Sequence, residues 1–228
     1  MQLNTLKHLR KELGQKPLVN LLKYKKYFRK TSLKQEGIGE HFLNEIASKK
    51  PKNFLEIGVF HGVTARNVCE LLYSIHGDDF KYVGLDLFGE NVQNTDEIIP
   101  NTKFNNPLKK IYFEYILRQD PYSIEAVTYL LKKFERNTHL VKGNSNNLLK
   151  KIDMSKIDYV FLDGGHAYET VKNDLESCIP VIDNNGTVLC DDYDLSYAPG
   201  VKKAIDEFIE IYKYKIKIIS TRFARIEK

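Results

Sequence analysis

The segment 158–168, DYVFLDGGHAY, constrains the fold of this chain more than any other. Its four apolar residues, Tyr159 to Leu162, are bounded by polar and turn-forming residues, which is typical of a strand buried on both faces. Such strands occur mainly in parallel sheets that helices cover on both sides. Asp163 follows at the carboxyl end of the strand, before two glycines and His166. The pattern predicts an α/β fold whose ligand site lies at the carboxyl edge of the sheet.

A second predicted strand, Gly186 to Cys190, ends in Asp191 and Asp192. Neighbouring strands lie about 4.8 Å apart, so adjacent placement would bring Asp163, Asp191 and Asp192 around one point. Three carboxylates at one point repel each other unless a cation compensates them. Their oxygens are hard ligands that suit Mg²⁺, whereas Zn²⁺ prefers histidine and cysteine. Any one of these aspartates could instead cap a turn or a helix, so the predicted magnesium site depends on the whole set.

His166 follows Asp163 by three residues, on a turn that contains two glycines. A histidine has an ordinary pKa of about 6.5, which suits a general base near neutral pH. The turn is short enough for His166 to face a hydroxyl that is bound to the same ion as Asp163. Tyr168, Tyr193 and Tyr197 lie in the neighbouring loops, where they either shape an acceptor pocket or serve only in packing.

Two earlier strands predict a site for a ligand that contains ribose. The first, Phe54 to Val59, leads through a turn with Gly58 and Gly62 into a helix. That order directs backbone N–H groups at a polar ligand, although its E-x-G-x-x-x-G spacing differs from that of nicotinamide and flavin sites. The second, Tyr82 to Leu87, ends at Asp86, whose carboxylate can accept hydrogen bonds from both ribose hydroxyls.

Five segments in this order, LEIGVFHG, YVGLDL, LVKGNS, YVFLDGGHAYETVKNDLE and GTVLCDDYD, resemble class I S-adenosylmethionine-dependent methyltransferases. DGGHAYE and CDDYD are similar in particular to metal-dependent O-methyltransferases related to the macrocin and mycinamicin sugar methyltransferases. The resemblance covers residues 53–193 and excludes residues 1–35. It implies a Rossmann-like, doubly wound, seven-stranded and mostly parallel sheet that ends in an antiparallel hairpin.

The resemblance also implies roles for individual residues. His166 becomes the general base, beside the metal-binding aspartates. The family usually has aspartate where Asn144 stands; an amide oxygen still accepts from the adenine amino group, so we expect weaker or altered cofactor binding. His61 is expected to be a loop side chain and not a catalytic group. The cofactor-binding residues would be Glu56, Gly58, Val59 and Gly62 around the methionine end, Asp86 and Leu87 at the ribose, Asn144 and Ser145 by the adenine, and Asp163.

The rest of the chain is assigned from its periodicity. Residues 1–50 are predicted to be a helical extension and residues 51–228 the methyltransferase domain. Segment 88–122 is rich in Asn and Pro and is long for a connection, so it is predicted to be a lid over the cofactor or a surface insertion. Helices are predicted over 3–13, 18–28, 38–48, 124–134 and 201–212, and the final hairpin over 213–220 and 223–227.

Charge and composition restrict the class of protein. The net charge is +5, but residues 1–35 carry ten Lys or Arg and one Glu, which leaves 25 basic and 29 acidic residues elsewhere. The basic N-terminal helices are candidates for an oligomer contact or an anionic partner, or are simply solvated. No apolar run approaches the ~20 residues of a membrane span, and no signal peptide is evident, so a cytoplasmic protein is predicted.

The three cysteines, Cys69, Cys178 and Cys190, lack metal-ligand spacing and are predicted to be core residues. A reactive thiol at Cys190 is disfavoured because the neighbouring carboxylates would raise its pKa.

The sequence therefore predicts a Mg²⁺-dependent O-methyltransferase that acts on a hydroxyl of a sugar, glycan or other polar small molecule. A catechol-like or other non-sugar acceptor is the first alternative, and a non-catalytic binding protein on a methyltransferase fold is the second. A nucleic-acid acceptor is disfavoured, because no Asn/Asp-Pro-Pro-Tyr run occurs and the basic residues lie outside the predicted catalytic edge.

Overall fold

The computed structural model describes residues 23–89 and 104–228. Its strands are β1 Asn53–Ile57, β2 Lys81–Asp86, β3 Thr138–Lys142, β4 Tyr159–Leu162, β5 Thr187–Cys190, β6 Lys215–Ile219 and β7 Phe223–Glu227. They form one seven-stranded sheet in the order β3-β2-β1-β4-β5-β7-β6. β1 to β5 pair in parallel, whereas β7 is antiparallel to both β5 and β6. The predicted α/β fold class is confirmed, including its C-terminal hairpin.

Helices connect these strands. They are α1 Ile38–Lys49, α2 Val63–His76, α3 Pro107–Ile111, α4 Ile124–Leu131, α5 Ser145–Leu148, α6 Tyr168–Ser177, α7 Ile179–Asp183 and α8 Pro199–Tyr212. A π-helical turn, Tyr112–Ile116, continues α3, and a 3-10 turn, Lys132–Phe134, completes the helix predicted over 124–134. Within the described ranges, none of the helices combines the length and apolar character that crossing a membrane requires.

The sheet separates two apolar clusters, because successive side chains of a strand point to opposite faces. In β1, Phe54 belongs to the cluster that contains residues of α1 and α2, whereas Leu55 and Ile57 belong to the cluster that contains residues of α6 and α8. Glu56 lies on the face of Phe54 and is fully buried. A carboxyl group therefore enters the first cluster close to the carboxyl edge of the sheet.

The strand ends are locked together at this edge by a close backbone contact. Gly58 follows β1 with φ of +94°, and a Cβ on it would lie 1.9 Å from the carbonyl oxygen of Asp163. Only glycine tolerates this combination of left-handed backbone and close approach. The turn after β1 and the turn after β4 consequently hold each other in place.

The helix predicted over 18–28 is wrong for residues 23–28, which are not helical. The backbone N–H of Lys25 donates to the Asn67 side chain at 2.7 Å, and the Asn67 amide donates back to the carbonyl of Lys25 at 2.9 Å. Tyr24 is buried and shares a hydrogen bond of 2.9 Å with Thr64. These tertiary contacts replace helical hydrogen bonds. The helix predicted over 3–13 and most of segment 88–103 lie outside the described residues.

The three cysteines, Cys69, Cys178 and Cys190, are buried and unpaired. Burial and the charge of Asp191 raise the pKa of the Cys190 thiol, which makes it a poor nucleophile.

Candidate functional site

The structure brings the three predicted metal ligands together. β4 and β5 pair with Leu162 opposite Cys190, so Asp163 and Asp191 leave the sheet side by side. Oxygens of Asp163, Asp191 and Asp192 lie within 4.8 Å of one another. A cavity of about 20 Å³ lies among them, which is room for one small ion or one water molecule. We call these three residues the carboxylate cluster.

In the part of the chain that the structure describes, Asp191 and Asp192 have hydrogen-bonded side-chain partners, whereas the carboxylate of Asp163 has none. Among the described residues, no side chain or backbone group makes a hydrogen bond to its carboxylate. Burial, together with the charges of Asp191 and Asp192, raises the pKa of Asp163 well above its ordinary value. A divalent cation would remove this repulsion, so the donor set, the cavity size and the charge all fit a small hard cation.

Asp192 holds the predicted base. Its Oδ2 lies 3.0 Å from Nε2 of His166, and its Oδ1 accepts a hydrogen bond of 2.8 Å from the Tyr197 hydroxyl. Burial alone would raise the pKa of Asp192, but the contact with His166, the charge of Arg222 and the bond from Tyr197 hold it below its ordinary value. Asp192 is therefore ionised and fixes the position of the imidazole.

The approach of α8 brings Tyr197 to this position. A Cβ on Gly200 would lie 2.5 Å from the carbonyl oxygen of His166, so glycine lets the first turn of α8 pack directly on the loop after β4. The other two tyrosines considered for the acceptor pocket bond elsewhere: Tyr168 donates to Glu207 and Tyr193 to Asp206.

Sequence reasoning missed Arg222, which lies at the turn between β6 and β7. Its Nε and Nη2 donate to the two oxygens of Asp191 at 2.5 and 2.6 Å, and Nη2 lies 3.1 Å from Oδ1 of Asp192. No local pattern marks an isolated arginine in a hairpin as part of a site 31 residues away along the chain. One of the predicted metal ligands, Asp191, is thus already engaged in a buried ion pair.

The predicted methionine end of the cofactor site contains a buried carboxyl group, Glu56, with one oxygen that accepts no hydrogen bond. Tyr82 donates to Oε2 of Glu56 at 2.6 Å, whereas Oε1 is buried without a hydrogen bond. Burial raises the pKa of Glu56 to about 8, despite the hydrogen bond from Tyr82. A buried, unpaired oxygen beside the glycine turn suits a cationic group such as the ammonium of a methionine moiety.

Asp86, the predicted ribose acceptor, is bonded within the protein. Its Oδ2 accepts from the backbone N–H of Phe60 at 2.8 Å, and its Oδ1 accepts from the N–H of Phe88 at 2.7 Å. The Tyr122 hydroxyl also donates to Oδ1, at 3.0 Å. Asp86 therefore connects the glycine turn to the segment on the far side of residues 90–103.

The remaining predicted cofactor residues lie along the same edge. Val59 and Gly62 form the turn before α2, and Leu87 follows β2. Oδ1 of Asn144 accepts from the N–H of Asn146 at 2.9 Å and so caps α5, which begins at Ser145. The Asn144 amide oxygen that we expected at the adenine therefore already has one hydrogen-bond donor.

His61 is a loop residue, as expected, but it is 1% exposed. Burial and the charges of Arg29, Lys30 and Lys109 lower its pKa to about 3, so it is neutral. Its ring lies 5.6 Å from that of Phe104, at the start of the second described range.

An open groove of about 510 Å³ begins at Tyr193, the residue after Asp192. Its lining includes Ser196, Lys202 and Asp206, which supply hydrogen-bond donors and acceptors next to an aromatic ring. The groove combines these polar groups with a mostly apolar surface, and it is large enough for a sugar-sized molecule.

Comparisons with known proteins identify the family of this chain and the fold that it shares with solved structures. A family model described as a methyltransferase domain matches residues 55–193, which is more than half of the chain. No curated protein sequence matches the chain. Solved structures of methyltransferases share the fold, at identities too low to show more than that.

Three of these structures illustrate the similarity. The O-methyltransferase NovP has 19% identity and a TM-score of 0.59, with 84% of this chain and 81% of that chain covered. CalS11, described as a TDP-rhamnose 3'-O-methyltransferase of calicheamicin biosynthesis, has 16% identity and a TM-score of 0.57, with 99% and 94% covered. PaMTH1 from Podospora anserina, bound to SAH, has 15% identity and a TM-score of 0.58, with 100% and 96% covered.

Proposed function

This chain belongs to the methyltransferase-domain family, and on that premise we propose that it transfers the methyl group of S-adenosylmethionine to a hydroxyl of a sugar or similar polar molecule. The observation that carries the proposal is the carboxylate cluster with His166 3.0 Å from Asp192, at the edge that also holds the glycine turn. NovP is an O-methyltransferase and CalS11 acts on TDP-rhamnose, which supports a hydroxyl acceptor and a sugar.

The cofactor would lie across the ends of β1, β2 and β3. Glu56 and the turn from Gly58 to Gly62 would bind its methionine end, Asp86 its ribose, and Asn144 with Ser145 its adenine. S-adenosylmethionine supplies an electrophilic methyl group for an in-line displacement. The protein's task is then to hold the acceptor oxygen in line and to remove its proton.

The carboxylate cluster would bind Mg²⁺ or another hard divalent cation. When bound, such an ion lowers the pKa of an acceptor hydroxyl. Asp163 and Asp192 would direct oxygens at it, and Asp191 would contribute a lone pair that its bond to Arg222 leaves available. An acceptor hydroxyl bound beside these carboxylates would lie close to His166, whose Nε2 is 3.0 Å from Asp192.

His166 would take the acceptor's proton. When the neutral ring donates Nε2–H to Asp192, its lone pair lies on Nδ1, which then acts as the base. Asp192 subsequently stabilises the imidazolium. The groove that begins at Tyr193 would bind the remainder of the acceptor.

The direct test is a methyl-transfer assay with S-adenosylmethionine and a panel of acceptors: nucleotide sugars, free sugars and catechol. Activity on sugars that EDTA abolishes and Mg²⁺ restores would support the proposal. Activity that survives EDTA would exclude the metal-dependent mechanism, and activity confined to catechol would replace the sugar acceptor. Absence of S-adenosylmethionine binding at millimolar concentration in calorimetry would instead indicate a non-catalytic protein.

We expect cofactor affinity to depend on pH through Glu56. Its pKa of about 8 means that it is mostly protonated at pH 7, and the cofactor's ammonium would favour the ionised form. Binding would then release a proton, so affinity should rise by up to about tenfold per pH unit between pH 6 and 7.5. Calorimetry in buffers of different ionisation enthalpy measures both the affinity and the proton release.

The variant E56Q should remove this pH dependence and weaken binding about tenfold at pH 7.5, or ~1.4 kcal/mol. The matched control is E70Q, because Glu70 pairs with Arg66 and Lys133 at 2.7 and 2.6 Å, away from the turn. An unchanged pH profile in E56Q would show that Glu56 does not face the cofactor.

We also propose that the described part of the predicted lid, residues 104–122, closes over the cofactor site. Arg29 donates to the carbonyls of Pro121 and Ala126 at 2.8 and 2.9 Å, which ties this segment to the N-terminal segment. Tyr122 donates to Asp86, the same carboxylate that ribose would use.

Tyr122 and a ribose hydroxyl would therefore compete for Asp86. The variant Y122F should bind S-adenosylmethionine roughly three- to tenfold more tightly, since one hydrogen bond to a charged group is no longer displaced. Calorimetry measures the change, with Y115F as control because Tyr115 is 71% exposed. Weaker binding in Y122F would mean that the hydroxyl contacts the cofactor instead.

A further inference from the structure

We propose that Arg222 is a built-in counter-cation of the carboxylate cluster, which stabilises the cluster without metal and weakens its affinity for a divalent cation. This inference rests on the metal-dependent function proposed above and adds a residue outside the family-model match. It assigns Arg222 a positioning and tuning role, not contact with the acceptor.

The guanidinium contacts two of the three carboxylates, as a bound cation would. Two of its nitrogens bond both oxygens of Asp191, and Nη2 also lies 3.1 Å from Asp192. Arg222 is 5% exposed, so water screens these contacts little. Nη2 additionally donates to Oγ of Ser32 at 3.0 Å, which links the cluster to the N-terminal segment.

The hairpin is shaped to deliver this side chain. Ser220 and Thr221, between β6 and β7, have φ of 53° and 58°, a left-handed conformation that non-glycine residues adopt at a cost. The backbone of Arg222 is then fixed by a hydrogen bond of 2.8 Å from the N–H of Tyr193 to its carbonyl. A tight turn and a bond to the loop after β5 thus set Arg222 opposite Asp191.

The net charge of the carboxylate cluster determines how strongly it attracts a divalent cation. With all three carboxylates ionised, as a bound divalent cation would favour, they and the guanidinium carry a net charge of −2, which the cation neutralises. Without the guanidinium the net charge is −3, so the cluster should repel itself more when empty and attract a cation more strongly. Asp163, which Arg222 does not bond, retains the largest uncompensated charge for the ion.

If Arg222 has this role, its removal should lower the stability of the metal-free protein and raise the affinity for Mg²⁺. R222M should lower the Tm of the metal-free protein by several degrees and raise its Mg²⁺ affinity at least tenfold. Mg²⁺ should also restore more of the lost stability than it adds to the wild type. If Arg222 only anchored the hairpin, R222M would lose stability equally with and without Mg²⁺, and its affinity would be unchanged or lower.

The experiment measures Mg²⁺ binding by calorimetry on cofactor-free protein, and thermal unfolding in EDTA and in saturating Mg²⁺. The matched control is R225M on β7, three residues after Arg222, since Arg225 pairs with Glu45 at 2.8 Å and Glu227 at 3.2 Å. R225M should lose stability without any change in Mg²⁺ affinity. R222M that is folded and binds Mg²⁺ no more tightly than the wild type would overturn the proposal.

Folding of R222M only in the presence of Mg²⁺ would support the proposal, because the ion then replaces the guanidinium. If R222M does not fold at all, the Mg²⁺ affinities of D191N and D163N test the proposal instead. Arg222 already neutralises Asp191, so D191N should reduce Mg²⁺ affinity at least tenfold less than D163N does, and equal losses would overturn the proposal. A wild type that binds no divalent cation would instead refute the proposed metal-dependent function.

Discussion

The variant D163N is expected to abolish methyl transfer and to make the metal-free protein more stable. Asp163 lies in the carboxylate cluster and offers the carboxylate with no hydrogen-bond partner among the described residues, so it would be the strongest ligand for the cation. Loss of that ion removes several kcal/mol of transition-state stabilisation, which corresponds to about a thousandfold in rate. The assay is the turnover of S-adenosylmethionine at saturating Mg²⁺ with the identified acceptor.

The gain in stability follows from the sign of the pKa shift. Burial and the charges of Asp191 and Asp192 raise the pKa of Asp163 in the folded protein. A carboxyl group with a raised folded pKa costs stability once the pH exceeds its ordinary value, because only the unfolded chain then ionises freely. Asparagine removes that cost. The Tm difference between D163N and wild type should therefore be absent below about pH 4 and grow toward neutral pH.

Thermal unfolding of EDTA-treated protein from pH 4 to 8 measures this difference. D153N is the control, since Asp153 is a surface residue that pairs with Lys156 at 2.9 Å outside the site. A lower Tm for D163N at pH 7 would indicate that Asp163 is a structural cap and not a poised metal ligand. Wild-type activity in D163N would remove the proposed mechanism altogether.

The sheet could be predicted from the sequence because its central strands carry local information. All four residues of β4 and of β5 are buried, and both strands read as short apolar runs that end at a carboxylate. Parallel pairing of neighbours then places Asp163 beside Asp191 without further assumptions. The carboxylate cluster was predictable for the same reason, since it follows directly from the ends of two adjacent strands.

Contacts between distant parts of the chain could not be predicted in this way. Arg222 contacts Asp191 from a hairpin that lies 31 residues further along the chain. Tyr122 contacts Asp86 over a sequence separation of 36 residues, and no sequence pattern links the two positions. Residues 23–28 have helical periodicity, yet Asn67 takes up the backbone hydrogen bonds of Lys25. In each case one side chain from a different element decides the local structure, and only the folded protein identifies it.

The variant H166A should reduce kcat by about 10²- to 10⁴-fold, the usual contribution of a general base. Mg²⁺ and S-adenosylmethionine affinities should stay within about threefold of the wild type, because the metal ligands and the glycine turn are untouched. His166 contacts the cluster through Asp192, which keeps a second hydrogen bond from Tyr197 after the substitution. Single-turnover kinetics with bound cofactor isolates the chemical step from binding.

Comparing the variant Y197F with H166A tests whether His166 is a general base or only orients Asp192. Tyr197 donates to Oδ1 of Asp192 at 2.8 Å, much as His166 bonds Oδ2 at 3.0 Å, but a tyrosine hydroxyl with a raised pKa cannot take a proton near neutral pH. We therefore expect Y197F to lose less than about tenfold in kcat, the value of one hydrogen bond. Equal losses in Y197F and H166A would assign His166 to orientation, and the proton would then have to leave through another group.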